Sequence, residues 1–249
     1  MKQAQSDINN LVLLVGGLGT RLRSVVSEVP KPMAPIKNKP FLSFILEYWY
    51  DRGIKNFHLL VGYKGTVIEK HFGNKFKESK IFYYSEDELA GTGGALKLFV
   101  IKNKIINKDE SFILMNGDTW LDVDILQLKE DFTKSKNELI IAVTNVPFNN
   151  RYGTLKIVNQ HVTEISSPNN KEAIINSGLY LLTSEILLKY LNEQKQYKFS
   201  FEVDILPALM KDKKIKASFA IKDFLDIGVP EDLIKALDIL KLNKYKPRK

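Results

Sequence analysis

The 249-residue chain contains no cysteine. That excludes disulfides, thiolate zinc sites, iron–sulfur clusters and a cysteine nucleophile. Histidine is scarce: His58, His71 and His161 are the only three, too few for a His-rich metal site. No apolar run reaches the ~18 residues of a membrane-spanning helix, so no membrane association is expected. The first ten residues are polar and include Asp7, unlike the apolar core of a signal peptide. The sequence therefore reads as that of a soluble, cytoplasmic protein. It also lacks a Pro/Gly/Ser-rich linker, an internal repeat and a low-complexity segment.

Apolar residues make up 44% of the chain and charged residues 27%, ordinary globular usage that allows one large α/β domain or two small ones. The net charge is +8, from 37 Lys+Arg against 29 Asp+Glu. Such a balance suits nucleic acid, an anionic membrane or phosphorylated small molecules. The basic residues are scattered, with a mild cluster at Lys241, Lys244, Lys246, Arg248 and Lys249. No aromatic-basic motif of a nucleic-acid module accompanies them, and no nucleic-acid partner is expected.

From residue 11 to 143 the chain repeats strand, loop and helix. Strands are expected at Leu11–Val15, Asn56–Val61, Ile81–Tyr84, Ser111–Met115 and Glu138–Val143. Helices are expected at Phe41–Tyr50, Thr66–Phe72, Thr92–Val100 and Asp124–Phe132, the last capped by Asp122 or Asp124. That order predicts a parallel sheet with helices on both faces. After Val146 the segments shorten and alternate: Thr154–Val158, His161–Ile165 and Ala173–Leu182 read as mixed or antiparallel strands. Two helices, Phe201–Lys211 and Pro230–Leu240, flank a strand at Ile215–Ile221.

The informative stretch is Val15–Pro35. Gly16, Gly17 and Gly19 let backbone N–H groups approach a ligand, and consecutive N–H groups form an anion-binding nest. Thr20 adds a hydroxyl, Arg21 a forked cation, and Lys31 a second cation between Pro30 and Pro32. A glycine loop at the end of a strand with two cations beside it is a polyphosphate cradle. It is not a Walker A loop, which needs Gly-x4-Gly-Lys-Ser/Thr, nor a dinucleotide fingerprint, whose third glycine is here Leu22.

Gly16-Gly17-x-Gly19-Thr20-Arg21-Leu22 followed by Pro30-Lys31-Pro32-Met33 resembles the signature of the sugar-1-phosphate nucleotidyltransferases. Further matches span almost the whole chain: Leu89–Ala95, Asn116-Gly117-Asp118, Tyr152-Gly153, Asn176-Ser177-Gly178 and Asp226–Asp232. Within that family, the run from Gly19 to Ile36, with KPFL and YW after it, is most similar to the D-glycero-D-manno-heptose 1-phosphate guanylyltransferases. The resemblance implies a Rossmann-like α/β fold of the nucleotide-diphospho-sugar transferase type. Its sheet would be mixed and mostly parallel, with helices on both faces. It also implies one domain, with residues 11–145 binding the nucleotide and 146–249 the sugar and carrying the C-terminal helix.

The implied reaction joins a sugar-1-phosphate oxygen to the α-phosphorus of a nucleoside triphosphate and releases pyrophosphate. The attacking phosphate is already anionic, so no general base is required, and alignment and charge stabilisation carry the catalysis. The resemblance gives Arg21 the β/γ-phosphates and Lys31 the reacting phosphates. Gly16, Gly17, Gly19, Thr20, Gly91, Thr92 and Asn116 fall to nucleotide binding. Asp118 and Asp226 fall to a shared Mg²⁺, whose preference for hard oxygen ligands they meet. Either aspartate read alone is also an ordinary turn or capping residue.

Gly153, Asn176 and Glu202 fall to the sugar or its phosphate, with Glu202 also readable as a helix-start residue beside Ser200. Tyr152 and Trp120 read equally as pocket walls or core. Glu86 precedes the Gly91-Thr92-Gly93-Gly94 turn, where the base is expected. A carboxylate only accepts, and it matches the adjacent N1–H and N2–H₂ donors of guanine, whereas uracil sets its N3–H between two acceptors. Glu86 therefore points to GTP, unless residues 86–88 are simply an exposed acidic turn.

Two departures from the family pattern stand out. The position of a common lysine near the sugar phosphate holds Ser167, with Lys171 nearby. Val15 replaces a small residue before the glycine pair. Another base, a mannose or glucose 1-phosphate, or a non-catalytic nucleotide-sugar-binding subunit remain alternatives. Relatives often dimerise, which leaves a homodimer open.

Overall fold

A computed structural model describes residues 8–17, 19, 29–86, 88–103, 107, 110–135 and 139–240. In chain order, the first half contains β1 (Asn10–Leu14), β2 (Pro35–Ile36), β3 (Lys39–Pro40), α1 (Phe41–Tyr50), β4 (Asn56–Val61), α2 (Gly65–Phe72), β5 (Lys75–Phe76), β6 (Ser79–Ser85) and α3 (Gly91–Lys102). It continues with β7 (Ser111–Asn116), β8 (Thr119–Val123), α4 (Ile125–Lys134) and β9 (Leu139–Asn149). Then follow β10 (Thr154–Val158), β11 (His161–Ser166), β12 (Lys171–Thr183), α5 (Ser184–Glu193) and α6 (Leu206–Lys211). The final elements are β13 (Ile215–Ser218), β14 (Ile221–Asp226) and α7 (Pro230–Ile239). The fold is mixed α/β, as the sequence predicts.

The described chain divides into two compact units. The first holds Asn9–Leu89, Asn116–Trp120 and the chain from Leu225 on; the second holds Ala90–Met115 and Leu121–Phe224.

In the first unit, β1, β4 and β6 lie side by side in parallel, with Leu13 opposite Leu59 and Leu59 opposite Tyr83. The short β5 adds antiparallel to β6. Leu11, Val12 and Leu13 are fully buried. A continuous apolar run of this kind suits a strand covered on both faces. Helix α1 is apolar almost all round and buries Phe41, Leu42, Ile45, Leu46, Tyr48 and Trp49. Pro40 precedes it in an extended conformation, and Gly53, at φ +89°, closes the turn after it.

In the second unit, β12 is the central element. It lies antiparallel to both β7 and β9, pairing Tyr180 with Leu114 and with Ile141. Strands β7 and β9 are therefore neighbours in the repeat but not in the sheet. The returning chain inserts between them. Strand β13 runs parallel to β9, and β10 and β11 form an antiparallel hairpin. The core holds Phe112–Leu114, Leu139–Ala142, Leu179–Leu182 and Phe201, all essentially inaccessible.

Several segments differ from their expected form, among them β8, which was not expected. The strand expected over Ile215–Ile221 is two strands, broken at Phe219-Ala220. The helix expected over Phe201–Lys211 begins as a π-helical segment, Phe201–Ile205, before α6. Pro207 has no N–H and its ring excludes a regular α turn onto Val203. Helix α5 was not expected, yet its buried Leu187, Tyr190 and Leu191 recur at helical spacing. As expected, Asp124 caps α4, accepting from the Gln127 N–H at 3.2 Å.

Candidate active site

In the first unit the structure assembles a cation between two carboxylates. Lys31 opens a single 3-10 turn, Lys31–Met33, whose backbone is tied down by the Met33 N–H to Pro30 O bond at 2.7 Å. Its neighbours Pro32 and Met33 are buried. Gly19 returns onto this turn at φ +58°, and a Cβ there would meet the Lys31 Cβ at 3.0 Å. Both the dihedral and the space call for glycine.

Asp118 follows the tight Gly117 turn after β7. The Gly117 N–H donates to Leu14 O at 3.0 Å, and a Cβ on Gly117 would lie 2.3 Å from Val15 Cγ1. Val15, the departure before the glycine pair, thus fills the space that Gly117 leaves. The Ile227 N–H donates to Asp118 O at 3.1 Å, which brings the end of β14 alongside. Lys31 Nζ donates to Asp118 Oδ2 at 2.6 Å and lies 3.6 Å from Asp226 Oδ1. Among the described residues, one ammonium thus stands between two carboxylates.

Those two carboxylates offer oxygen donors only, which fits a hard divalent cation. No group of three or more acidic, His or Cys ligands exists among the described residues. A cation held here would take its other ligands from phosphates and water, as Mg²⁺ commonly does. Asp226 caps no helix, since α7 begins after Val229.

The other first-unit candidates surround the same strand ends. Gly16 makes a close backbone approach to Gly62, with a would-be Cβ 2.9 Å from the Gly62 nitrogen, whereas Gly17 faces open space. Glu86 follows the end of β6 and is half-buried, and Asn116 ends β7. Trp120 is buried with its ring edge-on to Tyr48, a core role. Thr20 and Arg21 lie outside the described residues.

The second unit brings together Gly91, Thr92, Gly153, Asn176 and Glu202. Thr92 donates to Glu202 Oε2 at 2.7 Å. Asn176 donates to Tyr180 Oη at 2.7 Å, and its Oδ1 accepts from the Gly178 N–H at 2.8 Å. Burial raises the Tyr180 phenol's pKa, and the nearby Glu202 charge adds to the shift. Thr154 pairs with Ile175, so Gly153 falls beside Asn176 in the register.

The loop around Tyr152-Gly153 is built on Asn149, which is fully buried. Its amide accepts from the Tyr152 N–H at 2.8 Å and donates to Tyr152 O at 2.6 Å and Thr154 Oγ1 at 3.0 Å. The Tyr152 ring stands edge-on to Phe224. Ser167 and Lys171 are both exposed. Sequence reasoning missed Asn149, Tyr180 and the part played by Ser200. An Asn three residues ahead of Tyr-Gly was the one available signal, since Asx side chains commonly bind the backbone of the turn that follows.

These features define a nucleotide-handling α/β protein, and the chain belongs to the nucleotidyl transferase family, whose model matches residues 10–241. It is 42% identical over 226 residues to the D-glycero-alpha-D-manno-heptose 1-phosphate guanylyltransferase of Campylobacter jejuni subsp. jejuni serotype O:2, covering 89% of this chain and 95% of that protein. The protein of the same name from Aneurinibacillus thermoaerophilus is 40% identical, covering 90% and 95%. The crystal structure of HddC from Yersinia pseudotuberculosis superposes with a TM-score of 0.78 at 35% identity, over 94% of this chain and all of that one. HddC complexed with GMP-PN superposes at 0.76.

Proposed function

We propose that this enzyme transfers GMP from GTP to D-glycero-D-manno-heptose 1-phosphate, giving GDP-heptose and pyrophosphate. The observation that carries the reading is the convergence of Lys31, Asp118 and Asp226. It sets charge at one point, and an anionic nucleophile requires no general base. A phosphate oxygen of the sugar 1-phosphate bonds to the α-phosphorus as the bond from that phosphorus to the β-phosphate oxygen breaks. No proton needs removing.

The charge is handled by this chain's cations. Lys31 donates to oxygens of the reacting phosphates once it is drawn from the aspartates, and Arg21 holds the β- and γ-phosphates and the departing pyrophosphate. Asp118 and Asp226 would hold Mg²⁺, which when bound neutralises phosphate oxygens as a Lewis acid. Gly16, Gly17, Gly19, Thr20 and Asn116 line the nucleotide, with Gly91 and Thr92 offering backbone contacts and Glu86 accepting from guanine. Gly153, Asn176 and Glu202 contact the sugar. In this reading residues 11–145 serve the nucleotide and 146–249 the sugar. The enzyme works in the cytoplasm and supplies a donor for surface polysaccharide such as capsule.

The test is pyrophosphate release with Mg²⁺, crossing GTP, UTP, CTP, ATP and dTTP with heptose, mannose, glucose and N-acetylglucosamine 1-phosphates. Turnover confined to GTP and the heptose is expected. Turnover with UTP or dTTP would discard the Glu86 argument, and turnover with mannose or glucose 1-phosphate the sugar assignment. Tight GDP-sugar binding without turnover would indicate a binding subunit.

A further inference from the structure

The phosphate chemistry leaves one well-built cluster in the second unit unused. Thr92 and Ser200 both donate their hydroxyls to the same oxygen, Glu202 Oε2, at 2.7 and 2.9 Å. Each hydroxyl oxygen is itself committed to a backbone donor. Thr92 Oγ1 accepts from the Phe201 N–H at 2.9 Å, and Ser200 Oγ accepts from the Val203 N–H at 3.2 Å. A carboxylate oxygen only accepts, so both hydroxyls donate to Glu202; the other acceptor near Thr92 Oγ1, Ser200 Oγ, lies farther away at 3.5 Å. Oε1 of Glu202 has no hydrogen-bond partner among the described residues.

The two segments carrying this cluster are clamped together. The Phe199 N–H donates to Ala90 O at 3.0 Å, and the Gly93 N–H donates to Phe199 O at 3.1 Å. A Cβ on Gly91, at φ +78°, would lie 2.5 Å from Phe199 O, and one on Gly93 would lie 2.3 Å from the Phe199 ring. The glycines that open α3 are therefore spent on letting the Phe199–Glu202 segment approach. A second anchored side chain stands nearby: the Phe201 ring packs edge-on against Tyr180 at 5.0 Å, and Tyr180 holds Asn176.

We infer that Thr92 and Ser200 are positioning residues for sugar recognition. They fix Glu202 by Oε2 and present Oε1 as a single acceptor for the sugar's hydroxyls. A glutamate has three side-chain torsions to freeze on binding, and holding them in advance removes that entropic penalty. The sugar contact also becomes mechanically dependent on the Gly91-Thr92 turn. This inference rests on the reading of Glu202 as a sugar ligand.

The test uses the full chain with Ser200→Ala, Ser200→Thr, Thr92→Val, Thr92→Ser and Glu202→Gln, plus the Ser200→Ala/Glu202→Gln double variant. KM is measured for each substrate, with kcat, Tm and the Kd of GTP without sugar. Ser200→Ala is expected to raise the sugar KM about 10-fold, a lost hydrogen bond's worth, with the Kd of GTP unchanged. Ser200→Thr and Thr92→Ser, which keep the hydroxyl, restore it. Thr92→Val raises the sugar KM more than the GTP KM. In the Glu202→Gln background Ser200→Ala adds nothing further.

Additive effects in the double variant would overturn the inference, as would a fall in Tm with unchanged sugar KM, or equal changes toward both substrates. An unaltered sugar KM in Glu202→Gln would remove the reading of Glu202 while leaving the transferase reading intact. Absence of transfer by the unaltered chain would remove both.

Discussion

Replacing Lys31 by methionine separates the electrostatic role of this residue from its catalytic one. Its ammonium lies 2.6 Å from Asp118 and 3.6 Å from Asp226. Lys31 and Asp226 are only 14% and 13% exposed, whereas Asp118 is 35% exposed. At an effective dielectric near 20, one such pair attracts by about 4 kcal/mol. Desolvation of the ammonium and solvent screening at Asp118 remove much of that. The variant also leaves two carboxylates facing each other. A net loss of about 2 kcal/mol follows, or roughly 4–8 °C in Tm for a chain of this size.

The assay is thermal unfolding in chelator and again in millimolar Mg²⁺. In chelator the variant should unfold 4–8 °C below the unaltered protein, by the same estimate. In Mg²⁺ the gap should narrow, because a cation binding the folded state stabilises it by mass action and no longer competes with an ammonium. Transfer should fall by at least ~100-fold, as for loss of one preorganised charge-stabilising group. An unchanged Tm in chelator, or equal gains from Mg²⁺ in both proteins, would refute the claim that ammonium and metal share one site.

Three further outcomes are expected. Glu86→Gln should lower kcat/KM for GTP by about 10–100-fold, the scale of a charge-assisted hydrogen bond; an unchanged kcat/KM would reduce Glu86 to a surface residue. Gly91→Ala sets a Cβ 2.5 Å from the Phe199 carbonyl at φ +78°, and its urea midpoint should report a loss of about 1–3 kcal/mol. Buried His58 lies 3.1 Å from Tyr84 Oη and 3.2 Å from Asn10 Oδ1, and burial lowers its pKa from 6.5 to about 4. The unfolded chain then takes up the proton from about pH 6.5 downward while the folded chain does so only near pH 4. Stability is lost across that window as pH falls, by roughly 3 kcal/mol at the end. Urea titrations between pH 7 and 4 should show it, and His58→Gln should flatten the slope.

Local structure was largely legible in the sequence. Helix α1 and strand β4 begin and end where their apolar runs meet Pro40, Asp51, Lys55 and Gly62. Strand β10 likewise matches its alternating pattern, Thr154–Val158. These boundaries follow from burial periodicity and from residues that stop a backbone ladder, both of which act over a few positions. The break at Phe219-Ala220 was not legible, because the apolar pattern continues across it.

The sequence by itself determined the residue types and their order: the glycine loop with its cations, the isolated aspartates, the absence of any catalytic cysteine. Tertiary structure alone decided which of them meet. Lys31 reaches Asp118 across 87 positions, because the Gly117 turn docks on the end of β1. Thr92 and Glu202 are 110 positions apart and meet because two glycines admit the Phe199 segment. Insertion of β12 between β7 and β9 is equally invisible to a local pattern. Periodicity encodes which face of an element is buried, whereas the partner of that face is chosen by sheet order and register, which form only when the whole chain packs.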